Sequence, residues 1–131
     1  DYISDLSEHL LASYKVGSAE VRLAVEVEDI HFSVDTAIPC GLILNELISN
    51  ALKYSFISRE NGTIAVWLRR QNGDYELRVA DDGAGAPAGF DFRRDGKMGL
   101  QTVFAIGENQ LHGKVEFSSG PGVACSVFFR V

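Results

Sequence analysis

Apolar and polar residues alternate along several short segments of the chain. From Val21 to Val27, valine or leucine stands at every second position, and this period of two predicts a half-buried strand. The dipeptide Asn72-Gly73 is a strong hairpin signal and predicts flanking strands over Thr63 to Arg69 and Tyr75 to Ala80. A second hairpin turns through Gly120-Pro121-Gly122, with strands over Lys114 to Ser118 and Ala124 to Val131.

Other segments repeat their apolar residues at helical spacing. A helix ending near Lys15 is predicted from Ile3, Leu6, Leu10 and Leu11. Two further helices are predicted over Asp35 to Ser55 and Leu100 to Leu111, with a glycine-rich loop over Asp82 to Gly96. The elements together predict one α+β domain over residues 1–131, a two-layer sandwich with a mixed sheet of about five strands covered by about three helices.

Composition and charge narrow the classes of function. The 131 residues carry a net charge of −6, which argues against a nucleic-acid coat, and no apolar run is long enough for a membrane helix. Residues 1–52 hold nine acidic and two basic side chains, whereas the remainder holds nine acidic and ten basic ones. An anionic ligand is therefore expected near the second half. Because the chain begins at Asp1 and its only methionine is Met98, we expect it to be a piece of a longer protein.

The predicted second helix carries a polar face. At about 100° per residue, Glu46, Asn50, Lys53 and Tyr54 fall on one arc, separate from the apolar stripe. A carboxylate and an amide oxygen suit Mg²⁺, an ammonium suits phosphate, and an aromatic ring can cover a base. Taken alone, this face is more typical of a solvated amphipathic helix than of a ligand site.

Two more segments carry candidate chemistry. Asp81 ends a predicted strand and is followed by Gly83 and Gly85, which let the backbone approach a ligand while the carboxylate accepts from an exocyclic amine. Further along, Gly96-Lys97-Met98-Gly99 runs into a helix whose first amide groups can bind an anion. A dinucleotide fingerprint and a P-loop are both excluded by the residues at the required glycine positions.

The three segments, in this order and spacing, resemble the ATP-binding (Bergerat) fold of the GHKL superfamily, which includes gyrase, Hsp90, MutL and histidine kinases. The strongest resemblance is to the catalytic, ATP-binding domain of sensor histidine kinases whose N box reads NELxxNALKY, here Asn45 to Tyr54. The resemblance implies that Asn50 ligates Mg²⁺, Lys53 contacts phosphate, Tyr54 packs on adenine and Glu46 positions or activates the nucleophile.

The same resemblance assigns the remaining site residues. Asp81 accepts from the adenine amino group, while Gly83 and Gly85 let the chain pass the nucleotide. An ATP lid over residues 89–98 follows. The ATP contacts that it implies at the start of the third helix are Lys97, Met98, Gly99 and Leu100.

The resemblance also implies cofactors, partners and location. It implies ATP and Mg²⁺ as cofactors, and transfer of the γ-phosphoryl group to a histidine on an upstream dimerisation domain of the parent protein. From there the group passes to the receiver domain of a response regulator. The domain is expected in the cytoplasm, as part of a homodimeric parent that is either soluble or membrane-anchored. The isolated domain is expected to be a monomer that contacts neither nucleic acid nor membrane. His9, His31 and His112 lie in no phosphoacceptor motif.

Three alternatives remain open at this point. The same pocket could serve a serine kinase of the anti-sigma type, an ATP-driven clamp like gyrase or MutL, or a degenerate regulatory module that binds no nucleotide. An acid-labile phosphoprotein product distinguishes the histidine kinase from the serine kinase.

Overall fold

The computed structural model describes residues 10–16, 19–28, 30–56 and 61–131. These residues form one six-stranded mixed sheet with strand order β1-β2-β3-β4-β6-β5. Only β2 and β3 pair in parallel; every other neighbouring pair is antiparallel. The strands are β1 (Leu10–Val16), β2 (Ala19–Val27), β3 (Asn61–Gln71), β4 (Asp74–Asp81), β5 (Lys114–Ser119) and β6 (Val123–Arg130).

Helices cover one face of this sheet. α1 (Val34–Asn50) connects the parallel strands β2 and β3, as a parallel pair requires a crossover, and continues into a π-helical turn over Ala51–Ser55. After β4 come the short α2 (Phe92–Asp95) and then α3 (Met98–Ala105), which ends in a second π-helical turn over Ile106–Gln110. The two-layer α+β architecture predicted from the sequence is confirmed.

The core lies between the sheet and the helices. Alternate residues of β2 are buried from Val21 to Val27, and α1 buries Cys40, Ile43 and Leu47, which recur every three or four positions. The largest fully buried side chain is Phe56, which directly follows the π-helical turn. Within the described part of the chain, none of the helices combines the length and the apolar character needed to cross a membrane.

The predicted N-terminal helix is wrong for residues 10–15. These residues belong to β1, which pairs with β2 along its whole length, from Leu10 opposite Val25 to Val16 opposite Ala19. The helical spacing of the leucines was outweighed by this pairing, because tertiary context overrides a short local pattern. The sequence Gly17-Ser18, which follows directly, is typical of a two-residue hairpin loop. The earlier part of that predicted helix lies outside the described residues, and β1 raises the strand count from five to six.

Candidate functional site

One cavity of about 310 Å³ lies under the loop between β4 and α3. This volume is at the lower end of the range for small-molecule sites, roughly 300–1,000 Å³. Apolar side chains from α1, β4, β5 and the loop form most of its wall, and a few polar groups point to it. The lining residues are Leu47, Asn50, Ala51, Tyr54, Ser55, Val79, Asp81, Gly85, Ala86, Pro87, Phe90, Phe92, Asp95, Gly96, Lys97, Leu100, Phe117, Val123 and Cys125.

The carboxylate of Asp81, at the end of β4, is held by three donors. Its Oδ1 accepts from the backbone N–H of Gly83 at 2.9 Å and of Val123 at 3.3 Å, and its Oδ2 accepts from the hydroxyl of Ser55 at 3.0 Å. A carboxylate has about four lone-pair positions. Asp81 therefore keeps one acceptor position on Oδ2 for a ligand in the cavity.

Ser55 is a site residue that the sequence reasoning missed. At 100° per residue it falls on the apolar side of the helix, and nothing in the sequence marks it as polar chemistry. The structure places it in the π-helical turn with 8% of its surface exposed. Its carbonyl also accepts from the N–H of Ala84 at 3.0 Å.

The glycines after Asp81 have two different reasons to be glycine. A Cβ on Gly83 would lie 2.6 Å from the Cβ of Ser55, so this buried glycine permits the close approach of the loop to the π-helical turn. Gly83 is not among the residues that line the cavity. Gly85 does line it and has a φ of +77°, in the left-handed region that favours glycine, and a Cβ there would lie 2.7 Å from the carbonyl oxygen of Gly120.

The polar face of α1 meets the start of α3. A Cβ on Gly99 would lie 2.7 Å from Oε2 of Glu46 and 3.3 Å from Nδ2 of Asn50, so the first turn of α3 packs directly on these two side chains. Asn50 also lines the cavity. Glu46 and Asn50, which the helical spacing places on one face of α1, thus lie beside Gly99, which comes about 50 positions later in the chain.

The first amide groups of α3 can serve as an anion site. The N–H of Leu100, expected from the resemblance to contact phosphate, already donates to the carbonyl of Lys97 at 3.0 Å. The amides of Met98 and Gly99 precede it and have no acceptor within the helix. Met98 leaves 83% of its surface exposed, so its side chain does not close the cavity.

Two cations flank the cavity differently. Lys97 lines it, and its Nζ lies 5.2 Å from the ring centroid of Tyr54, which is itself a lining residue and half exposed. Lys53 is exposed and is not among the lining residues. The spacing of an α-helix does not predict the direction of the Lys53 side chain, because from Ala51 onward the chain forms the wider π-helical turn.

Aromatic residues of the loop cover the cavity. Phe92 stacks on Phe117 of β5, with ring centroids 4.6 Å apart and planes 9° apart, and Phe90 meets the edge of Phe92 at 5.0 Å. Both loop rings line the cavity. The predicted glycine-rich loop therefore contains a short helix whose apolar side faces the site.

An ion pair fastens the outer side of this loop to the second π-helical turn, which continues α3. Both terminal guanidinium nitrogens of Arg93 donate to the carboxylate of Glu108, and the guanidinium lies 4.1 Å from the ring centroid of Phe104. The hydrogen bond from Arg93 lowers the pKa of Glu108. The side-chain amide of Gln101 adds a 2.7 Å bond to the carbonyl of Arg93. These exposed contacts orient the loop more than they stabilise the fold.

Two aspartates cap the N-terminal end of α2. Oδ1 of Asp91 accepts from the N–H groups of Arg93 and Arg94, both at 3.0 Å, while the N–H of Asp91 donates to Asp95 at 2.9 Å. The side-chain hydrogen bond from Arg94, followed by that backbone bond, lowers the pKa of Asp95 to about 2. The loop is thus capped reciprocally and carries an ionised carboxylate at neutral pH.

Three features are typical of an ATP-binding α+β domain. They are the mixed sheet, the apolar cavity with one open acceptor position, and the helix N-terminus that lies beside a carboxylate and an amide. A family model for histidine kinase-, DNA gyrase B-, and HSP90-like ATPases matches residues 35–131. The chain belongs to this family, and its domain is one that binds ATP.

Individual relatives in this family are histidine kinases. Blue-light-activated histidine kinase 2 of Erythrobacter litoralis is 30% identical over 89 residues, covering 66% of this chain and 25% of that protein. Sensor histidine kinase PdtaS of Mycolicibacterium smegmatis is 29% identical over 98 residues, covering 74% of this chain and 20% of that protein. The chain thus spans a quarter or less of the length of these curated relatives.

Solved structures agree in fold. The histidine kinase domain from the Erythrobacter litoralis EL346 blue-light activated histidine kinase superposes with a TM-score of 0.77 at 25% identity, covering 87% of this chain and 52% of that one. The catalytic domain of histidine kinase ThkA superposes with a TM-score of 0.66 at 19% identity, covering 84% of this chain and 78% of that one, which supports the fold alone.

Proposed function

We propose that this chain is the catalytic domain of a two-component sensor histidine kinase, which binds Mg-ATP and transfers its γ-phosphoryl group to a histidine elsewhere in the parent protein. The observation that carries the proposal is that one cavity is lined both by Asp81, with an open acceptor position, and by Asn50, which packs with Glu46 against the start of α3. A purine amine and a polyphosphate need these two kinds of partner.

The cavity walls fit an adenine ring. Ala51, Val79 and Phe92 supply apolar surface, and the free position on Oδ2 of Asp81 accepts from an exocyclic amine. The half-exposed ring of Tyr54 can cover the base from the open side. Gly85 leaves room for the nucleotide because its backbone carries no side chain at the cavity wall.

The opposite side suits phosphates and Mg²⁺. The free amides of Met98 and Gly99 and the ammonium of Lys97 attract anionic oxygens. In the described part of the chain, no cluster of three or more histidine, cysteine, aspartate or glutamate side chains could hold a metal by itself. Mg²⁺ takes one or two protein oxygens and completes its shell with water and phosphate, so the Oδ1 of Asn50 suffices on the protein side.

Glu46 is proposed to position the nucleophile. Its carboxylate accepts a hydrogen bond from one nitrogen of the incoming imidazole, so that the lone pair of the other nitrogen faces the γ-phosphorus. A phosphorus–nitrogen bond then forms as the bond to the leaving ADP oxygen breaks. Bound Mg²⁺ supplies charge stabilisation for this displacement.

An exposed apolar stripe on α1 marks where the acceptor domain docks in this proposal. Val34, Ile38 and Leu42, spaced by four residues, leave 65%, 54% and 47% of their surfaces exposed. Glu46 follows at the next position of the same spacing. Because the stripe leads to the proposed nucleophile-positioning residue, its occupant is an amphipathic helix that carries the phosphoacceptor histidine.

This docking surface can be tested in trans. Ile38→Asp is expected to lower phosphoryl transfer to the added upstream domain of the parent by about tenfold or more, since a buried anchor is worth at least about 1–2 kcal/mol. ATP affinity should stay unchanged. Asn109→Asp introduces the same carboxylate at an exposed position of the second π-helical turn and serves as the control. Equal transfer rates for both variants would place the docking surface elsewhere.

The remaining partners follow from the same proposal. The phosphohistidine passes its phosphoryl group to an aspartate on the receiver domain of a response regulator, the parent acts in the cytoplasm as a homodimer, and the isolated chain is a monomer. Incubation with Mg-ATP and the upstream domain should give an acid-labile, base-stable phosphoprotein. An acid-stable product would indicate a serine kinase instead.

A further inference from the structure

Ser55 is the single described protein donor to Oδ2 of Asp81, a residue that lines the cavity. Its hydroxyl donates to Oδ2 at 3.0 Å, whereas both backbone donors bind Oδ1. We infer that Ser55 is a positioning residue for the nucleotide base: its hydroxyl orients the Asp81 carboxylate so that the last acceptor position points at the exocyclic amine of adenine. The inference rests on the proposed function.

The geometry makes this hydroxyl hard to replace. Two bonds to Oδ1 fix one oxygen, but the carboxylate plane can still turn about that anchor, and the bond to Oδ2 stops this rotation. Ser55 itself is held in place, since its carbonyl accepts from Ala84 at 3.0 Å and Gly83 packs against it. Only 8% of its surface is exposed, so water has little access to take over the donor role.

The oriented carboxylate also selects the base. An ionised carboxylate only accepts hydrogen bonds, and Ser55 holds the remaining acceptor position of Oδ2 in one direction. An adenine amine can donate to it, whereas the 6-oxo group of hypoxanthine offers a second acceptor and finds no partner. The Ser55–Asp81 pair is therefore expected to contribute to discrimination of ATP from ITP.

The test measures dissociation constants for ATP and ITP, with Mg²⁺, for the wild type, Ser55→Ala and Ser55→Cys. Loss of the hydroxyl is expected to weaken ATP binding about tenfold and to leave ITP binding within about twofold, so that the ATP-to-ITP selectivity falls about tenfold. Ser55→Cys keeps the size with a weaker donor and carries the test if the alanine variant fails to fold. Ser126→Ala is the matched control, because Ser126 is also buried and hydrogen-bonded, to Glu76 and Arg78, and does not line the cavity.

The results distinguish the role of Ser55 from the proposed function of the site. A parallel loss for both nucleotides would assign Ser55 a merely structural role and overturn the inference, as would unchanged ATP binding in both variants. If Asp81→Asn abolishes ATP binding while the Ser55 variants keep it, the proposed site stands and the role of Ser55 falls. If the wild type binds no ATP, the proposed function fails together with the inference.

Discussion

Replacing the Asp81 carboxylate by an amide isolates its contact with the base. In Asp81→Asn, the amide oxygen can keep the bonds from the N–H groups of Gly83 and Val123, and the hydroxyl of Ser55 can turn to accept from the new NH₂ group. The local structure therefore keeps its partners. The ligand meets an N–H donor where the wild type offers a free acceptor.

The expected loss follows from this reversal. A hydrogen bond to a charged group contributes about 1.5–3 kcal/mol, and a donor left facing another donor costs about 1–3 kcal/mol more. About 3 kcal/mol corresponds to an increase in the dissociation constant on the order of 100-fold for ATP. ITP should bind more tightly than it does to the wild type, because its 6-oxo group accepts from the new amide.

Isothermal titration calorimetry with both nucleotides at fixed Mg²⁺ measures the two changes together. Circular dichroism of the variant confirms that the fold is retained. If Asp81→Asn binds ATP within about threefold of the wild type, or loses ATP and ITP alike, the base does not contact Asp81 and the orientation of the nucleotide is wrong.

Two further perturbations test other parts of the structure. Gly99→Ala places a methyl group 2.7 Å from Oε2 of Glu46 and should lower the phosphoryl transfer rate at least about tenfold with the fold retained. Gly120→Ala is the control and should leave the rate unchanged, because its Cβ meets no described atom within 4 Å. Equal rates for the two variants would contradict the proximity of α3 to Glu46. Burial raises the pKa values of the Cys40 and Cys125 thiols to about 12. A thiol reagent at neutral pH should therefore label neither cysteine in the native protein and both after denaturation. Fast labelling of the native protein would show that this part of the core opens.

The sheet and the long helix could be predicted because their signals are local. The Asn72-Gly73 turn fixes the β3–β4 hairpin, and the buried residues of α1 follow its apolar period. β1 could not be predicted in this way, because its strand state depends on the free edge of β2, which is a property of the assembled sheet.

Some residues of the candidate site could likewise be predicted from local sequence signals, and others could not. Asp81 and Asn50 carry distinctive chemistry at marked places in the sequence, and both line the cavity. Ser55 was missed because only the π-helical turn directs it at Asp81, and a π-helix has no reliable sequence signal. The N–H of Leu100 already donates to the carbonyl of Lys97, which the sequence could not show, because the exact helix start decides which groups are free.

The contact of the loop aromatic residues with β5 also could not be predicted from the sequence. Phe90 and Phe92 stand in a segment whose glycines and charges predict a loop, and their apolar side acquires a function only when β5 presents Phe117. The sequence contains the residues of this contact but not the register that brings them together. Contacts between distant segments are the part of a site that periodicity alone does not determine.

The most direct test of ATP binding in this cavity is an NMR titration of backbone amides with a non-hydrolysable ATP analogue and Mg²⁺. If ATP binds there, the largest shifts are expected at Gly83, Gly85 and Gly99, around the Asp81 carboxylate and the start of α3. Trp67, which lies against the guanidinium of Arg69 and does not line the cavity, should shift little. Shifts centred on Trp67, or no saturable shifts at the three glycines, would show that ATP does not bind in this cavity.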